Sequence, residues 1–271
     1  MRRALCQRRT YKLIKGDRCV AHRKPFIAGN WKMFKTVSEA VKTAEQLVKR
    51  IGETDIDVMI APTYTALVSV SDVIKGTPVS LGAQNLFWEK EGAYTGEISP
   101  AMLVSAGCKY VIIGHSERRQ YFGETDETVN KKIRAAIQSE LIPVFCVGET
   151  EKERESELTF SVLDKQLQKG LEGFSSDELE TLVMAYEPVW AIGTGKTATR
   201  HQAQEVHQYL REKLEESYGN ILANSIRILY GGSVKPDNIS ELMVMDDVDG
   251  ALVGGASLSS ETLSKIVHFK K

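Results

Sequence analysis

Short apolar runs rich in β-branched residues recur along the chain from residue 26 onward, and a longer segment with helical spacing follows most of them. Runs of this length that are apolar at consecutive positions are typical of parallel strands buried on both faces. The pattern predicts eight such strands, at residues 26–28, 58–61, 79–82, 110–113, 143–147, 182–186, 226–230 and 250–253.

The segments between these runs carry apolar residues at the three- and four-residue spacing of amphipathic helices, as Ala40, Leu47 and Ile51 show. Helices are predicted at residues 38–51, 126–137 and 201–218, and Pro236 suits the first turn of a later one. Strands that alternate with helices predict parallel βαβ units. Eight such units predict an α/β protein with a closed, single-domain (β/α)8 barrel. An open, doubly wound sheet is the alternative on this pattern alone.

Polar and glycine residues follow most of the predicted strands at their carboxyl ends. These residues are Asn30 to Lys32, Gln84 and Asn85, His115 to Glu117, Glu149, Glu187, Gly231 to Ser233, and Gly254 with Gly255. In a barrel of parallel strands these ends meet at one mouth, where active sites of the fold lie. The sequence therefore predicts that a lysine, a histidine, several carboxylates and two glycine-rich turns lie together at the mouth of the barrel.

Composition limits the classes of partner. The chain has 271 residues and a formal net charge of −1 at pH 7, so no overall field favours nucleic acid or an anionic membrane as a partner. No apolar run approaches the roughly 20 residues of a membrane span. Cys6, Cys19, Cys108 and Cys146 form no paired motif, which favours reduced thiols and a cytoplasmic location.

Residues 1–23 form a basic N-terminal extension that we expect to be disordered, and residues 24–271 form the predicted barrel domain. The first 24 residues hold nine Lys or Arg residues and one acid, Asp17. The absence of an apolar core in this segment excludes a secretory signal. A transit peptide, a plain tail and an upstream start codon stay open.

Five stretches of the chain resemble triosephosphate isomerases, and the resemblance runs from about Lys24 to the C-terminus. They are GNWKM at 29–33, GHSERR at 114–119, AYEPVWAIGTGK at 185–196, YGGS at 230–233 and VGGASL at 253–258. The resemblance implies a TIM barrel that interconverts dihydroxyacetone phosphate and glyceraldehyde 3-phosphate in glycolysis and gluconeogenesis. It also implies that the enzyme needs neither a cofactor nor a metal ion.

The resemblance assigns catalytic roles at the mouth. It makes Glu187 the base that moves a proton between two adjacent carbons, and His115 the neutral acid that serves the two substrate oxygens. Lys32 attracts the phosphate and stabilises the negative charge of the intermediate. Glu117 resembles the acidic partner of Lys32, and Asn30 resembles its polar neighbour.

Two glycine-rich turns and a lid complete the expected site. Backbone N–H groups at Gly193, Ser233, Gly254 and Gly255 are expected to hold the substrate phosphate. By resemblance, the lid and its latch comprise Pro188, Trp190, Ile192, Gly195, Ala198 and Tyr230. Gly195 to Thr197 also resemble the end of a nucleotide-binding P-loop, but that motif needs a glycine where Trp190 stands.

The loop that carries Tyr94 and Thr95 has no helical or strand periodicity. By resemblance it inserts into a second subunit beside that subunit's active site, so we expect a homodimer. The pair Glu157-Leu158 departs from the Gly-Lys or Gly-Arg of many relatives, which leaves the local helix geometry uncertain.

Three other functions are alternatives to the isomerase. A class I aldolase would use Lys32 as a Schiff base, and a pentose-phosphate epimerase would need a cluster of metal-binding side chains. A binding or scaffold protein without catalysis would not need Lys32, His115 and Glu187 together.

Overall fold

The computed structural model describes residues 11–13, 19–21, 23–192 and 198–270. The strands are β1 (Tyr11–Leu13), β2 (Cys19–Ala21), β3 (Phe26–Asn30), β4 (Asp57–Ala61), β5 (Val79–Ala83), β6 (Tyr110–Ile113), β7 (Ile142–Val147), β8 (Val183–Tyr186), β9 (Arg227–Tyr230) and β10 (Gly250–Val253). Strands β3 to β10 follow one another in chain order as parallel neighbours, and β10 pairs with β3 to close the barrel. The predicted closed barrel is therefore confirmed, and the open sheet is excluded.

Helices connect the strands on the outside of the barrel. They are α1 (Val37–Ile51), α2 (Leu67–Ile74), α3 (Pro100–Ser105), α4 (Ser116–Tyr121), α5 (Asp126–Gln138), α6 (Glu151–Glu155), α7 (Thr159–Gly170), α8 (Arg200–Tyr218), α9 (Asn220–Ser225), α10 (Ile239–Leu242) and α11 (Ser260–Val267). Short 3₁₀ turns lie at Tyr64–Ala66, Val189–Ala191 and Gly255–Leu258. Within the described ranges, every helix is too short or too polar to cross a bilayer.

The helix predictions hold except at Pro236. Helices α1, α5 and α8 begin and end within one residue of the predicted bounds. Pro236 lies in a turn instead, and helix α10 begins three residues later at Ile239. The Asn238 side chain explains the delay, because it accepts from the Lys235 amide and donates to the Ser233 carbonyl, which stabilises the turn.

Alternate residues of each strand divide the core into two parts. Phe26 and Ala28 of β3 point into the barrel, where the Phe26 and Tyr110 ring centroids lie 5.0 Å apart. Ile27 points outward into the layer between barrel and helices, which also contains the buried residues of α1 that the helical spacing predicted. The barrel interior is thus a packed core, which leaves the mouth at the carboxyl ends of the strands as the place for a site.

Ion pairs tie the residues that precede β3 to the amino end of the barrel. Arg23 Nε donates to Asp249 Oδ1 at 2.5 Å, just before β10, and Lys24 pairs with Asp57 at 2.5 Å. Strands β1 and β2 of the extension pair with each other in antiparallel register. The rest of residues 1–22 lies outside the described residues, so the expected disorder of the extension stays a prediction.

Glu157, where the sequence departs from many relatives, lies just after helix α6 with φ of 58°. This left-handed conformation is one that glycine adopts without steric cost. The chain therefore keeps the local geometry that a glycine would favour, at a residue remote from the barrel mouth.

Helix α8 buries His207 completely between the rings of Tyr186 and Tyr230. Its Nδ1 lies 3.1 Å from the Asp247 carbonyl oxygen, whereas Nε2 has no hydrogen-bond partner among the residues that the structure describes. Burial lowers the pKa of His207 to about 4, below the usual 6.5. Because the unfolded chain binds the proton at higher pH than the folded one, stability present above pH 6.5 is lost as the pH falls toward 4.

When the pH falls from 7 to 4.5, we expect the unfolding free energy of the unsubstituted chain to decrease by about 2–3 kcal/mol more than that of His207→Gln. The size follows from the pKa difference between the folded and unfolded states, because each unit is worth about 1.4 kcal/mol. Urea unfolding at both pH values measures this difference. The exposed His201→Gln is the matched control and should follow the unsubstituted chain. Equal losses in all three proteins would contradict the assignment of this acid sensitivity to His207.

Candidate active site

A cavity of about 450 Å³ opens at the mouth of the barrel. Its lining includes the predicted residues Asn30, Lys32, His115, Glu117, Glu187, Ile192, Ser233, Gly254 and Gly255. The sequence had placed each of these at the carboxyl end of a strand or in the segment that follows. A cavity of this size suits a small ligand held by a few convergent polar groups.

Glu187 and His115 meet at the inner wall of this cavity. His115 Nε2 lies 3.0 Å from Glu187 Oε1, and Glu187 Oε2 accepts from the Ser116 amide at 2.9 Å. Burial by itself raises the pKa of Glu187, but the His115 ring and the Ser116 amide hold that pKa below its usual range. The carboxylate is therefore ionised at neutral pH and able to accept a proton.

The His115 ring is fixed by the start of helix α4. Its Nδ1 accepts from the Glu117 amide at 3.2 Å, so the hydrogen-bond network assigns the ring proton to Nε2, on the cavity side. Burial lowers the pKa of the ring, while the adjacent Glu187 carboxylate raises it, and the pKa lies above its usual value in this arrangement. The ring thus presents a proton donor toward Glu187 and the cavity.

Charged side chains hold both backbone groups of Gly114, the residue before His115. Glu124 Oε1 accepts from the Gly114 amide at 2.9 Å, and Arg119 Nε donates to the Gly114 carbonyl at 2.7 Å. Lys132, itself buried, donates to Glu124 Oε2 at 2.7 Å. Because buried charges that are paired on several sides resist displacement, this network fixes the strand end that carries His115.

Lys32 reaches across the mouth to the other side of the cavity. Its Nζ lies 2.6 Å from Glu117 Oε1, and its amide donates to Asn30 Oδ1 at 3.0 Å. A side chain at Gly254 would come within 3.2 Å of Lys32 Cε, so glycine at this position leaves room for the lysine. The amine is therefore held beside the predicted phosphate turn.

Two further glycines leave room beside Glu187 and beside the predicted latch, Tyr230. A Cβ atom at Gly231 would lie 2.9 Å from Glu187 Cγ, and one at Gly232 would lie 2.2 Å from the Tyr230 hydroxyl oxygen. Both distances are shorter than real Cβ contacts, so a side chain at either position would displace its neighbour. The YGGS stretch therefore shapes the wall behind Glu187.

The segment after β8 is anchored at its start. Trp190 Nε1 donates to Glu149 Oε1 at 2.8 Å, and the same oxygen accepts from the Tyr186 hydroxyl at 3.1 Å and Arg154 at 3.1 Å. Of the predicted lid residues, Ile192 lines the cavity, while Pro188, Trp190 and Ala198 lie outside its wall. Gly193 and Gly195 lie outside the described residues, so their predicted roles stay predictions.

Tyr230 is fully buried, and burial raises the pKa of its hydroxyl group to about 12, although a hydrogen bond with the Ala198 backbone acts in the opposite direction. Ala198 lies at the end of the predicted lid, so this contact joins Tyr230 to that segment. The group lies beside Gly232, at the edge of the wall that holds Glu187.

The loop with Tyr94 and Thr95 does not line the cavity. The Tyr94 ring packs on Phe87, with centroids 4.7 Å apart, yet 44% of Tyr94 is exposed. Met33 and Phe34, which follow β3 at the same end of the barrel, are 92% and 55% exposed. Large apolar side chains are therefore exposed in the loops after β3 and β5, the two strands on either side of β4.

Sequence reasoning missed the residues that hold the site from behind. Gln84 and Glu149 were noted only as polar residues after strands, while Glu124 and Arg119 were given no role. Gln84 and Glu149 act on groups far along the chain, as in the Gln84 hydrogen bond to the Lys32 carbonyl, 52 positions away, whereas Glu124 and Arg119 hold Gly114, which lies within ten positions of both. For Gln84 and Glu149, the signal in the sequence was their position after a strand end.

Comparison with known proteins agrees with this geometry. The family model described as triosephosphate isomerase matches residues 25–270. The triosephosphate isomerase of Geotalea uraniireducens is 53% identical over 250 residues, which is 92% of this chain and 100% of that protein. The triosephosphate isomerase of Endomicrobium trichonymphae is 55% identical over 250 residues, which again is 92% of this chain and 100% of that protein.

A solved structure shows the same fold. The crystal structure of triosephosphate isomerase from Bartonella henselae superposes with a TM-score of 0.82 at 39% sequence identity. The match covers 91% of this chain and 100% of that one. The residues that the family model matches, 25–270, contain every predicted residue at the barrel mouth and begin after the basic extension.

Proposed function

This chain belongs to the triosephosphate isomerase family, and we propose that Glu187, His115 and Lys32 carry out its reaction. The enzyme interconverts dihydroxyacetone phosphate and D-glyceraldehyde 3-phosphate, an intramolecular aldose–ketose isomerisation that serves glycolysis and gluconeogenesis. The observation that carries the assignment is the 3.0 Å contact between His115 Nε2 and Glu187 Oε1 at the cavity wall. An acid and a base so close to each other can act on adjacent atoms of one substrate.

Glu187 is the base that moves the proton between the two substrate carbons. Its carboxylate is held ionised, and its side chain has space because position 231 is glycine. In the structure the carboxylate contacts His115 Nε2 and the Ser116 amide. Bound substrate takes the place of these contacts, and the carboxylate then faces carbon instead of the ring.

His115 delivers and removes the proton at the two substrate oxygens. When Glu187 turns to the substrate, the nearby negative charge that raises the pKa of His115 moves away from the ring. Burial and the hydrogen bond from the Glu117 amide to Nδ1 then favour the neutral ring. A neutral ring with its proton on Nε2 donates to a substrate oxygen and takes a proton back from the other.

Lys32 and the backbone near Ser233, Gly254 and Gly255 hold the phosphate group. The lysine amine lies within 4 Å of where a Gly254 side chain would begin, so amine and backbone converge on the same part of the cavity. Lys32 also stabilises the negative charge that develops on the substrate oxygens. Asn30 and Glu117 hold the amide and the amine of this lysine, respectively.

The segment from Pro188 to Ala198 is the lid, and Tyr230 is its latch. The contact between the buried Tyr230 hydroxyl and the backbone of Ala198 supports this assignment, because it ties the barrel wall to the end of the lid. Closure would remove water from the cavity and protect the intermediate from losing its phosphate group.

The working enzyme is a homodimer in which the loop with Tyr94 and Thr95 inserts into the partner. The exposed apolar side chains of Met33, Phe34 and Tyr94 support this proposal, since monomeric proteins rarely leave such groups together in water. We also place the enzyme in the cytoplasm, which the free, buried thiols of Cys108 and Cys146 favour.

Residues 24–271 form the catalytic domain, and the basic extension takes no part in the reaction. We expect the full chain and a chain that starts at Arg23 to convert glyceraldehyde 3-phosphate at rates within about twofold of each other, because polar terminal segments seldom carry function. Arg23 is kept because it pairs with Asp249. A coupled assay, run with and without a chelator, measures both rates. Inactivity of the full chain would contradict the isomerase assignment. Loss of activity only on truncation would contradict the expected domain division. Loss of activity only with the chelator would contradict the expected independence from metal ions.

A further inference from the structure

The backbone of Lys32 has a conformation that side chains rarely adopt. Its φ is 50°, in the left-handed region, and the residue is not glycine. Such a conformation costs free energy and persists only where surrounding contacts fix it. At Lys32 this conformation decides where the side chain leaves the end of β3, and therefore where its amine lies in the cavity.

Three polar groups of Lys32 are each held by a different side chain. Asn30 Oδ1 accepts from the Lys32 amide at 3.0 Å, and Glu117 Oε1 lies 2.6 Å from the amine. The third contact comes from Gln84, whose Nε2 donates to the Lys32 carbonyl at 2.8 Å. This is the side-chain contact that fixes the carbonyl end of the strained peptide.

Gln84 is anchored so that it can impose this geometry. Its Nε2 also donates to the Ala61 carbonyl at 2.9 Å, at the end of β4, so both amide hydrogens are used. The residue itself follows directly after β5. A single amide group therefore ties together the ends of three neighbouring strands, β3, β4 and β5, around Lys32.

We propose that Gln84 is a positioning residue that acts through Lys32: its amide group holds the left-handed Lys32 backbone and so aims the amine at the phosphate and the substrate oxygens. This inference rests on the proposed role of Lys32 in the reaction. Loss of the Gln84 amide lets the Lys32 peptide relax toward ordinary φ values, and the amine then leaves its place beside Gly254. Gln84 itself does not line the cavity.

A double-mutant cycle tests the proposal. Methionine in Gln84→Met has nearly the same shape as glutamine but no hydrogen-bond donor. We expect this variant to lower kcat/KM by about tenfold, because side chains in contact have coupling free energies of this order. Competitive inhibition by inorganic phosphate should become weaker as well. In the Lys32→Ala background, the same substitution should cost less than about twofold in kcat/KM. If Gln84→Met does not fold, Gln84→Asn, which keeps the amide on a shorter stem, enters the same cycle.

Gln166 provides a matched control. Its side chain accepts from the Gly148 amide at 2.8 Å and donates to the Gly148 carbonyl at 3.0 Å, so it holds a different strand end in a similar way. Any cost of Gln166→Met should be the same in both backgrounds. An equal cost of the Gln84 substitution in both backgrounds, or no cost in either, would overturn the inference. Full activity of Lys32→Ala alone would instead sink the role of Lys32, and the inference with it.

Discussion

Glu187→Asp is expected to lower kcat by at least about 10²-fold, because a misplacement of roughly 1 Å at a reacting group has an effect of this size. The substitution keeps the carboxylate but shortens its stem by one methylene group. The backbone cannot follow the shortened side chain, since the Glu187 amide donates to the Val147 carbonyl at 2.8 Å within the barrel. The carboxylate would therefore stop short of the substrate carbons.

Fold and phosphate binding should change little in this variant. Lys32 and the glycine-rich turns keep their contacts, so inhibition by inorganic phosphate should stay near that of the unsubstituted enzyme. Glu261→Asp makes the same shortening on the exposed face of helix α11 and serves as the control. Steady-state kcat and thermal melts of the three proteins decide the matter. Turnover of Glu187→Asp close to that of the unsubstituted enzyme would remove Glu187 from the mechanism.

Thr95→Arg is expected to weaken the dimer and to lower kcat together, by about 10²-fold where the protein is monomeric. The Tyr94–Thr95 tip is exposed in the single chain, although Tyr94 is largely apolar. By resemblance to the family, Thr95 approaches Asn30 and Glu117 in the second subunit. Those two residues hold the amide and amine of Lys32, so a subunit without its partner would lose support for the lysine.

Sedimentation and turnover over one dilution series test this coupling. The arginine would put a long charged side chain into the pocket that the loop is expected to fill in a partner subunit, so dissociation and loss of rate should occur at the same protein concentration. Thr181→Arg, at an exposed position before β8 and away from the mouth, is the control and should remain dimeric and active. A monomeric Thr95→Arg protein with full turnover per subunit would show that the loop serves assembly alone.

The sequence predicted the barrel because its signals are local. A strand buried on both faces needs apolar residues at consecutive positions, and a helix that covers it needs apolar residues three and four apart. Those demands are met within each segment, so all eight strands and the helices α1, α5 and α8 could be placed from the chain alone. The helix after β9 was misplaced because the Asn238 side chain, three residues beyond Lys235, stabilises a turn where Pro236 had suggested a helix.

The sequence by itself also determined which residues gather at the mouth, since parallel strands place all their carboxyl ends at one face. It did not determine how those residues touch. Glu187 and Ser116 are 71 positions apart, Lys32 and Glu117 are 85 apart, and Gln84 reaches a carbonyl 52 positions away. Closure of the barrel brings these groups within hydrogen-bond distance. Only the tertiary structure decided these contacts, because distances, backbone strain and pKa shifts arise from groups that no local pattern in the sequence relates.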